Sequence, residues 1–245
     1  MTEQNYDGEK NSKKLPMASI EFAENPEPRC ACVLLLDTSS SMWGEKIKAL
    51  NNGIREFKRQ LEEDDIASKR VEIAVVKFDT DVEIVSDFGT VDNFKPTELE
   101  ADGVTSMTKA ITVASDLIEK RKNTYKQNGI AYYRPWMFLI TDGEPTDEEG
   151  YFLAENDFRF KSAIKTIHNG VYSKQFTFFA VGVDDADMET LSKLSPLNPP
   201  VKLKDNKWRE MFKWLSSSLV TLSTSSMDQE KVYLPDASSW CCVEI

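Results

Sequence analysis

Asp37, Ser39 and Ser41 stand at alternate positions directly after the apolar run Val33 to Leu36. All three offer oxygen and nothing softer. Such a set suits a hard divalent cation such as Mg2+, which takes about six oxygens near octahedral positions and keeps several waters. One carboxylate among neutral hydroxyls leaves the ion positive, with a position open. Two more oxygen donors sit in similar places. Thr105 follows "ADGV" where a helical pattern starts, and Asp142 closes "FLIT" just before Gly143, which lets the backbone turn sharply. Each also has an ordinary reading. Ser and Asp are favoured helix N-caps, Thr105 can cap its helix, and Asp-Gly is a common turn pair.

Other chemistry finds less support. The single histidine, His168, falls on a helical pattern beside Ile164 and Ile167, away from any strand end. A surface or half-buried helical position suits it better than a Ser-His-Asp triad, and no G-x-S-x-G elbow surrounds the serines. No phosphate-binding glycine motif is present, and Ser39 replaces the second acid of a D-x-D phosphotransferase pattern. No enzymatic activity is expected. Glu144, Asp147, Glu148 and Glu149 read as a solvated loop. Cys30 and Cys32 share a strand face, while Cys241 and Cys242 lie near the other end. C-x-C with a distant C-C is not a standard zinc spacing, so these read as buried or free thiols. Trp240 beside Cys241 and Cys242 suggests an exposed docking tail.

Positioning these groups requires strands that end where the donors begin. Val33 to Leu36 and Trp136 to Ile140 are continuous apolar runs, as in strands covered on both faces of a parallel sheet. Val71 to Phe78 and Val82 to Phe88 are strands joined by the short link "DTD", which predicts an antiparallel hairpin at a sheet edge. "FTFFAVGV" is a further strand, and Val201 to Leu203 a short one. Helical spacing runs from Trp43 to about Glu63, with Ile47, Leu50, Ile54, Phe57 and Leu61 on one face. It recurs at Thr105 to about Tyr125, Phe158 to Asn169, Asp187 to Leu194 and Trp208 to Leu222. Strand–helix alternation predicts an α/β, doubly wound, mostly parallel sheet with helices on both faces and one antiparallel edge strand. Ligands of such sheets bind beyond the carboxyl ends of the strands, where strand order reverses. Residues 1–24 read as a polar, disordered tail, residues 25–224 as one domain, and residues 225–245 as a C-terminal tail.

The 245-residue chain carries a formal net charge of −11. Nucleic-acid binding needs basic surface to release counterions, so this balance points away from it. No apolar run approaches the roughly 20 residues that cross a bilayer, and no membrane association is expected. The polar N-terminus lacks the apolar core of a secretory signal. The cytoplasm is the expected location.

The D-x-S-x-S pattern after the first strand, a Thr before a middle helix and an Asp after the fourth strand resemble the von Willebrand factor A (VWA) domain and its metal-ion-dependent adhesion site (MIDAS). The resemblance implies a metal set of Asp37, Ser39, Ser41, Thr105 and Asp142. It further implies Mg2+, with Mn2+ or Ca2+ as substitutes, and a partner's acidic side chain completing the shell. "PEPRCACVLLLDTSSSM", "GEKIKALNNGI", "PLNPP" and "FKWLSSSL" look more narrowly like bacterial tellurium-resistance (TerY-like) VWA proteins. That resemblance implies a bacterial stress-response setting, with a protein kinase or PP2C-type phosphatase as possible partners. The competing role is a non-catalytic VWA subunit assisting a kinase/phosphatase or ATP-driven metal-handling complex. Two positions depart from the family pattern: Ser40 stands where Gly is usual, and Gly103-Val104 replaces Gly-Gly before the Thr.

Overall fold

The apolar runs become the middle of one sheet. The computed structural model describes residues 17–205, 207–229 and 231–242. The rest of the polar N-terminal tail and residues 243–245 lie outside it. The strands are β1 (Cys30–Asp37), β2 (Val71–Phe78), β3 (Val82–Thr90), β4 (Trp136–Thr141), β5 (Thr177–Gly182), β6 (Val201–Leu203) and β7 (Cys241–Cys242). The helices are α1 (Met17–Glu24), α2 (Glu45–Glu62), α3 (Ala67–Arg70), α4 (Met107–Gln127), α5 (Phe158–Tyr172), α6 (Met188–Leu194) and α7 (Trp208–Thr224). The sheet order is β3-β2-β1-β4-β5-β6-β7. Strands β2, β1, β4, β5 and β6 run parallel, and β3 and β7 are antiparallel edges.

Every residue of β1 and β4 is buried, because helices cover both faces. Cys30, Cys32, Leu34 and Leu36 face α2 and α7, packing with Leu50, Phe57, Phe212 and Leu215. Ala31, Val33 and Leu35 face α4 and α5, packing with Ile111, Ala114, Phe160 and Ile167. Gly53 permits the close approach of α2 and α7: a Cβ there would lie 2.2 Å from the Phe212 ring. Burial pushes the thiols of Cys30 and Cys32 up, which keeps them protonated.

Three features differ from the expectations. Met17–Glu24, assigned from sequence to the disordered tail, forms α1. Phe22 is buried, with the Arg29 and Arg121 guanidiniums 5.2 and 5.1 Å from its ring centroid. Its neighbour Glu21 accepts from Arg121 at 2.7 Å. The sheet also has a second antiparallel edge, β7, from the C-terminal tail. Trp240, expected to be exposed, is 1% exposed and packs on Trp214 with ring centroids 5.3 Å apart. The tail returns because the apolar surface of Phe179 and Trp214 and the free edge of β6 need cover.

The end of the sheet near α1 holds a buried charge cluster. Glu72 accepts from Arg29 Nε at 2.8 Å, from Arg121 Nε and Nη2 at 2.7 Å each, and from the Tyr125 hydroxyl. Glu72 and Arg29 are both fully buried. Removing one member strands its partners without water. Glu72→Ala is therefore expected to lower unfolding stability by about 3–5 kcal/mol in urea denaturation. Glu63→Ala, which removes an exposed partner of Arg59, is expected to cost less than about 1 kcal/mol. Equal small losses would show that the cluster carries no special share of the stability.

Candidate metal centre

Beyond the carboxyl ends of β1 and β4, three loops bring the predicted donors together. Asp37 ends β1, and its buried carboxylate accepts from the Ser39 amide at 2.9 Å and from the Thr141 hydroxyl. Ser39 Oγ lies 2.9 Å from Ser41 Oγ, and Ser41 donates to Asp142 Oδ1 at 2.6 Å. Four of the five residues are thus joined in one chain of direct hydrogen bonds. Thr105 enters from the third loop. A Cβ on Gly143 would lie 3.3 Å from Thr105 Oγ1 and 3.9 Å from Asp37 Oδ2, so Gly143 leaves open the space between them. Ser39, Ser41, Thr105 and Asp142 line one cavity of about 360 Å3, with Glu144, Phe152, Asp185 and Asp187 at its walls.

Backbone bonds hold the loops in register. The Asp102 amide donates to Thr38 O at 2.8 Å, and the Ser40 amide donates to Gly103 O at 3.0 Å. Gly103 has φ +69°, and a Cβ on it would meet Thr80 Oγ1 at 2.1 Å, so only glycine fits. Thr105 and Thr146 are mutually tied: Thr105 N donates to the Thr146 side-chain Oγ1 at 2.9 Å, and Thr146 N to Thr105 O at 3.0 Å. The first strand's continuation is a short 3-10 turn, Ser40–Met42, rather than a capped helix; no side-chain cap bond forms at Ser39. The hydroxyls are thereby left for other work.

The donor chemistry fits a hard cation: two carboxylates and three hydroxyls, with no sulfur or imidazole. Among the described residues, no group of three or more His, Cys, Asp and Glu side chains is placed to hold a metal. A cation here would depend on the hydroxyls, and the four cysteines form no such group either. His168 is half-buried on α5, its Nε2 3.0 Å from Lys193 O.

A model of the von Willebrand factor type A domain matches residues 32–211. The chain belongs to this family. No curated protein matches the sequence. Among solved structures, a von Willebrand factor type A protein from Catenulispora acidiphila aligns with TM-score 0.60 at 19% identity, covering 79% of this chain and 43% of that one. The pilus adhesin SpaC from Lactobacillus rhamnosus GG, in its open conformation, gives TM-score 0.62 at 13% identity, covering 79% and 30%. The vWF domain of the type V pili tip protein Mfa5 from Porphyromonas gingivalis gives 0.56 at 13%, covering 82% and 98%. The chain thus spans less than half the length of the first two. At these identities the likeness is one of fold.

Both departures of this VWA domain from its family's pattern are accommodated. Ser40 is not among the residues with positive φ, so the turn does not require glycine there. Val104 follows the one glycine the loop needs, its amide 3.3 Å from Thr80 Oγ1. The sequence reading did not find Thr141 or Lys46. Thr141 immediately precedes Asp142, and its hydroxyl turns back onto Asp37. Lys46, in the first turn of α2, contacts Asp142 Oδ2 and lies 3.3 Å from Asp184 Oδ2. Burial alone would push the Lys46 ammonium down, but Asp142 and then Asp184 hold it above its ordinary value.

Burial pushes the Asp37 carboxyl up to about 6; hydrogen bonds from Ser39 and Thr141 pull the other way, and the Asp142 charge adds to the rise. A raised acid keeps a proton in the folded state that the unfolded chain has already lost. In chelator, stability is therefore expected to fall as pH rises from about 4 to about 6. Asp37→Asn removes the buried charge and keeps the shape. It is expected to flatten that slope and to stabilise the metal-free protein at about pH 7 by up to about 3 kcal/mol. Urea denaturation in EDTA at several pH values checks this; a variant less stable than wild type at neutral pH contradicts it.

Proposed function

We propose that this VWA domain is a metal-dependent protein–protein interaction module with a MIDAS-type site. The observation that carries the reading is the convergence of Asp37, Ser39, Ser41, Thr105 and Asp142 from three loops at one sheet edge. Ser39, Ser41 and Thr105 would hold Mg2+ together with the carboxylates of Asp37 and Asp142. Mn2+ or Ca2+ would serve as substitutes. Bound there, the ion supplies a positive charge with an open position for a partner's carboxylate. Such a bond adds specificity, and it can be switched by removing the ion. VWA domains often mediate protein–protein interaction, and two of the similar structures come from pilus proteins.

The biological setting we infer is a bacterial stress-response or tellurium-resistance system in the cytoplasm, with a kinase or PP2C-type phosphatase as partner. The stretches around Asp37, Lys46 and α7 that resemble the tellurium-resistance group support it. Among the described residues, no helix is long and apolar enough to cross a membrane. We infer no catalytic role for the chain. The serines of the site hydrogen-bond each other and Asp142 rather than a histidine base.

Mg2+ or Mn2+ is expected to raise the melting temperature of the wild-type domain. At a concentration about 100-fold above Kd the gain corresponds to about 2.7 kcal/mol. Asp37→Ala is expected to abolish the response while leaving the fold intact by circular dichroism. A metal response unchanged in Asp37→Ala would sink the site assignment. Partners captured by the immobilised domain should elute with EDTA; capture that is indifferent to EDTA for every partner would count against bridging by the ion.

A further inference from the structure

The MIDAS reading leaves one cation unexplained. Lys46 Nζ touches Asp142 Oδ2 while Ser41 donates to Oδ1, so both oxygens of this carboxylate are engaged by the protein itself. The Lys46 side chain is 28% exposed, Asp142 only 1%, and Asp184, 3.3 Å from the same ammonium, is 56% exposed. The lysine therefore spans an inner and an outer carboxylate. Its placement is unusual for a helix, because the first turn of α2 presents its positive end and disfavours a cation there. The carboxylates hold it in that position. Asp184 is fixed opposite by the end of β5, where Val183 N donates to Thr141 O at 2.9 Å.

We propose that Lys46 is a tethered counter-cation that competes with the divalent ion for Asp142 and swings to Asp184 when the ion binds. This rests on the metal reading given above. Charge counting gives the reason. Asp37 and Asp142 together carry −2 when both are ionised, and Lys46 reduces this to −1. An ion entering with Lys46 still on Asp142 meets a like charge; after withdrawal it meets two carboxylates and a more distant ammonium. A lysine can make this move because its ammonium is a compact charge on a flexible four-carbon stem. The outer carboxylate gives it a destination, so the cost of displacement is reduced without leaving the charge unpaired. Lys46 thus sets how much Mg2+ is needed before the domain can engage a partner.

Isothermal titration of Mg2+ and Mn2+ into wild type, Lys46→Met, Asp184→Asn and the double variant tests this. Lys46→Met is expected to bind the ion roughly tenfold tighter than wild type. Asp184→Asn is expected to bind it more weakly, since the displaced ammonium loses its outer partner. In the Lys46→Met background, Asp184→Asn should have no effect, because nothing remains to be displaced. Melting in EDTA controls for folding. Unchanged or weaker binding by Lys46→Met overturns the proposal, as does an Asp184→Asn effect that persists without the lysine. If those results accompany Mg2+ binding that Asp37→Ala abolishes, the metal site stands and only the role of Lys46 falls. If neither wild type nor Lys46→Met binds either ion, the metal site itself falls and the proposal with it.

Discussion

The parallel pairing of β1 with β4 is the constraint on which the site depends. Leu36 pairs with Ile140, so Asp37 and Thr141 emerge side by side and Asp142 follows one residue later. A slip of one residue would turn Cys30, Cys32, Leu34 and Leu36 onto the opposite face. It would also part Asp37 from the Thr141 hydroxyl. The packing of two helical layers against alternating β1 side chains therefore specifies the position of a carboxylate that takes no part in that packing. The order of strands adds the rest. Since β1 lies between β2 and β4, the loops that leave β1 and its neighbours diverge to opposite faces and leave a crevice between them.

The two ends of the sheet treat buried charge in opposite ways. At one end Glu72 meets two guanidiniums and a phenol, and no lone pair is left to seek a ligand. At the other, Asp37 is equally buried but receives only neutral hydrogen bonds, and its carboxyl is driven up to about 6. A protein that needed only rigidity would resolve both in the first manner. Leaving an acid without a cation costs stability, and sites that accept such a cost are where ligands are expected.

Much of the fold could be read in the chain because its signals are local. Trp136–Ile140 is an unbroken apolar run, Val71–Phe78 is apolar apart from Glu72 and Lys77, and α2 carries its core residues at helical spacing, so their limits fall within a residue or two of those predicted. The oxygen-bearing cluster of Asp37, Ser39 and Ser41 was legible by spacing, while the family pattern was needed to join Thr105 and Asp142 to it. What was missed depends on contacts across long separations. α1 is held by Phe22 between two arginines, and β7 has only two residues, each paired to a strand nearly forty residues earlier. No periodicity announces either. Trp240 read as exposed because its sequence neighbours are small and polar; it is buried against Trp214, whose own ring meets Phe179. Lys46 escaped notice because a lysine beside a glutamate in a first helical turn looks like ordinary solvated surface.

A single coordinate bond cannot by itself hold two proteins together specifically; standard interfaces bury roughly 1,200–2,000 Å2. The loops around the crevice have the side chains to supply such area. Trp43, Tyr151 and Phe152 are each more than two-thirds exposed, and large aromatics are enriched where interfaces draw most of their energy. Tyr151 and Phe152 sit on a closed loop, in which Leu153 N donates to Pro145 O at 2.9 Å and Asp147 N to Tyr151 O at 2.9 Å. That loop hangs from Thr105 through the paired bonds to Thr146. Trp43 in turn follows the Ser40–Met42 turn that bears Ser41. On the proposed reading, the donors that would grip the ion and the aromatics that would grip the partner share their backbone supports. An ion that draws Ser41 and Thr105 inward would then reposition both aromatic groups, which gives metal dependence to contacts that never touch the metal.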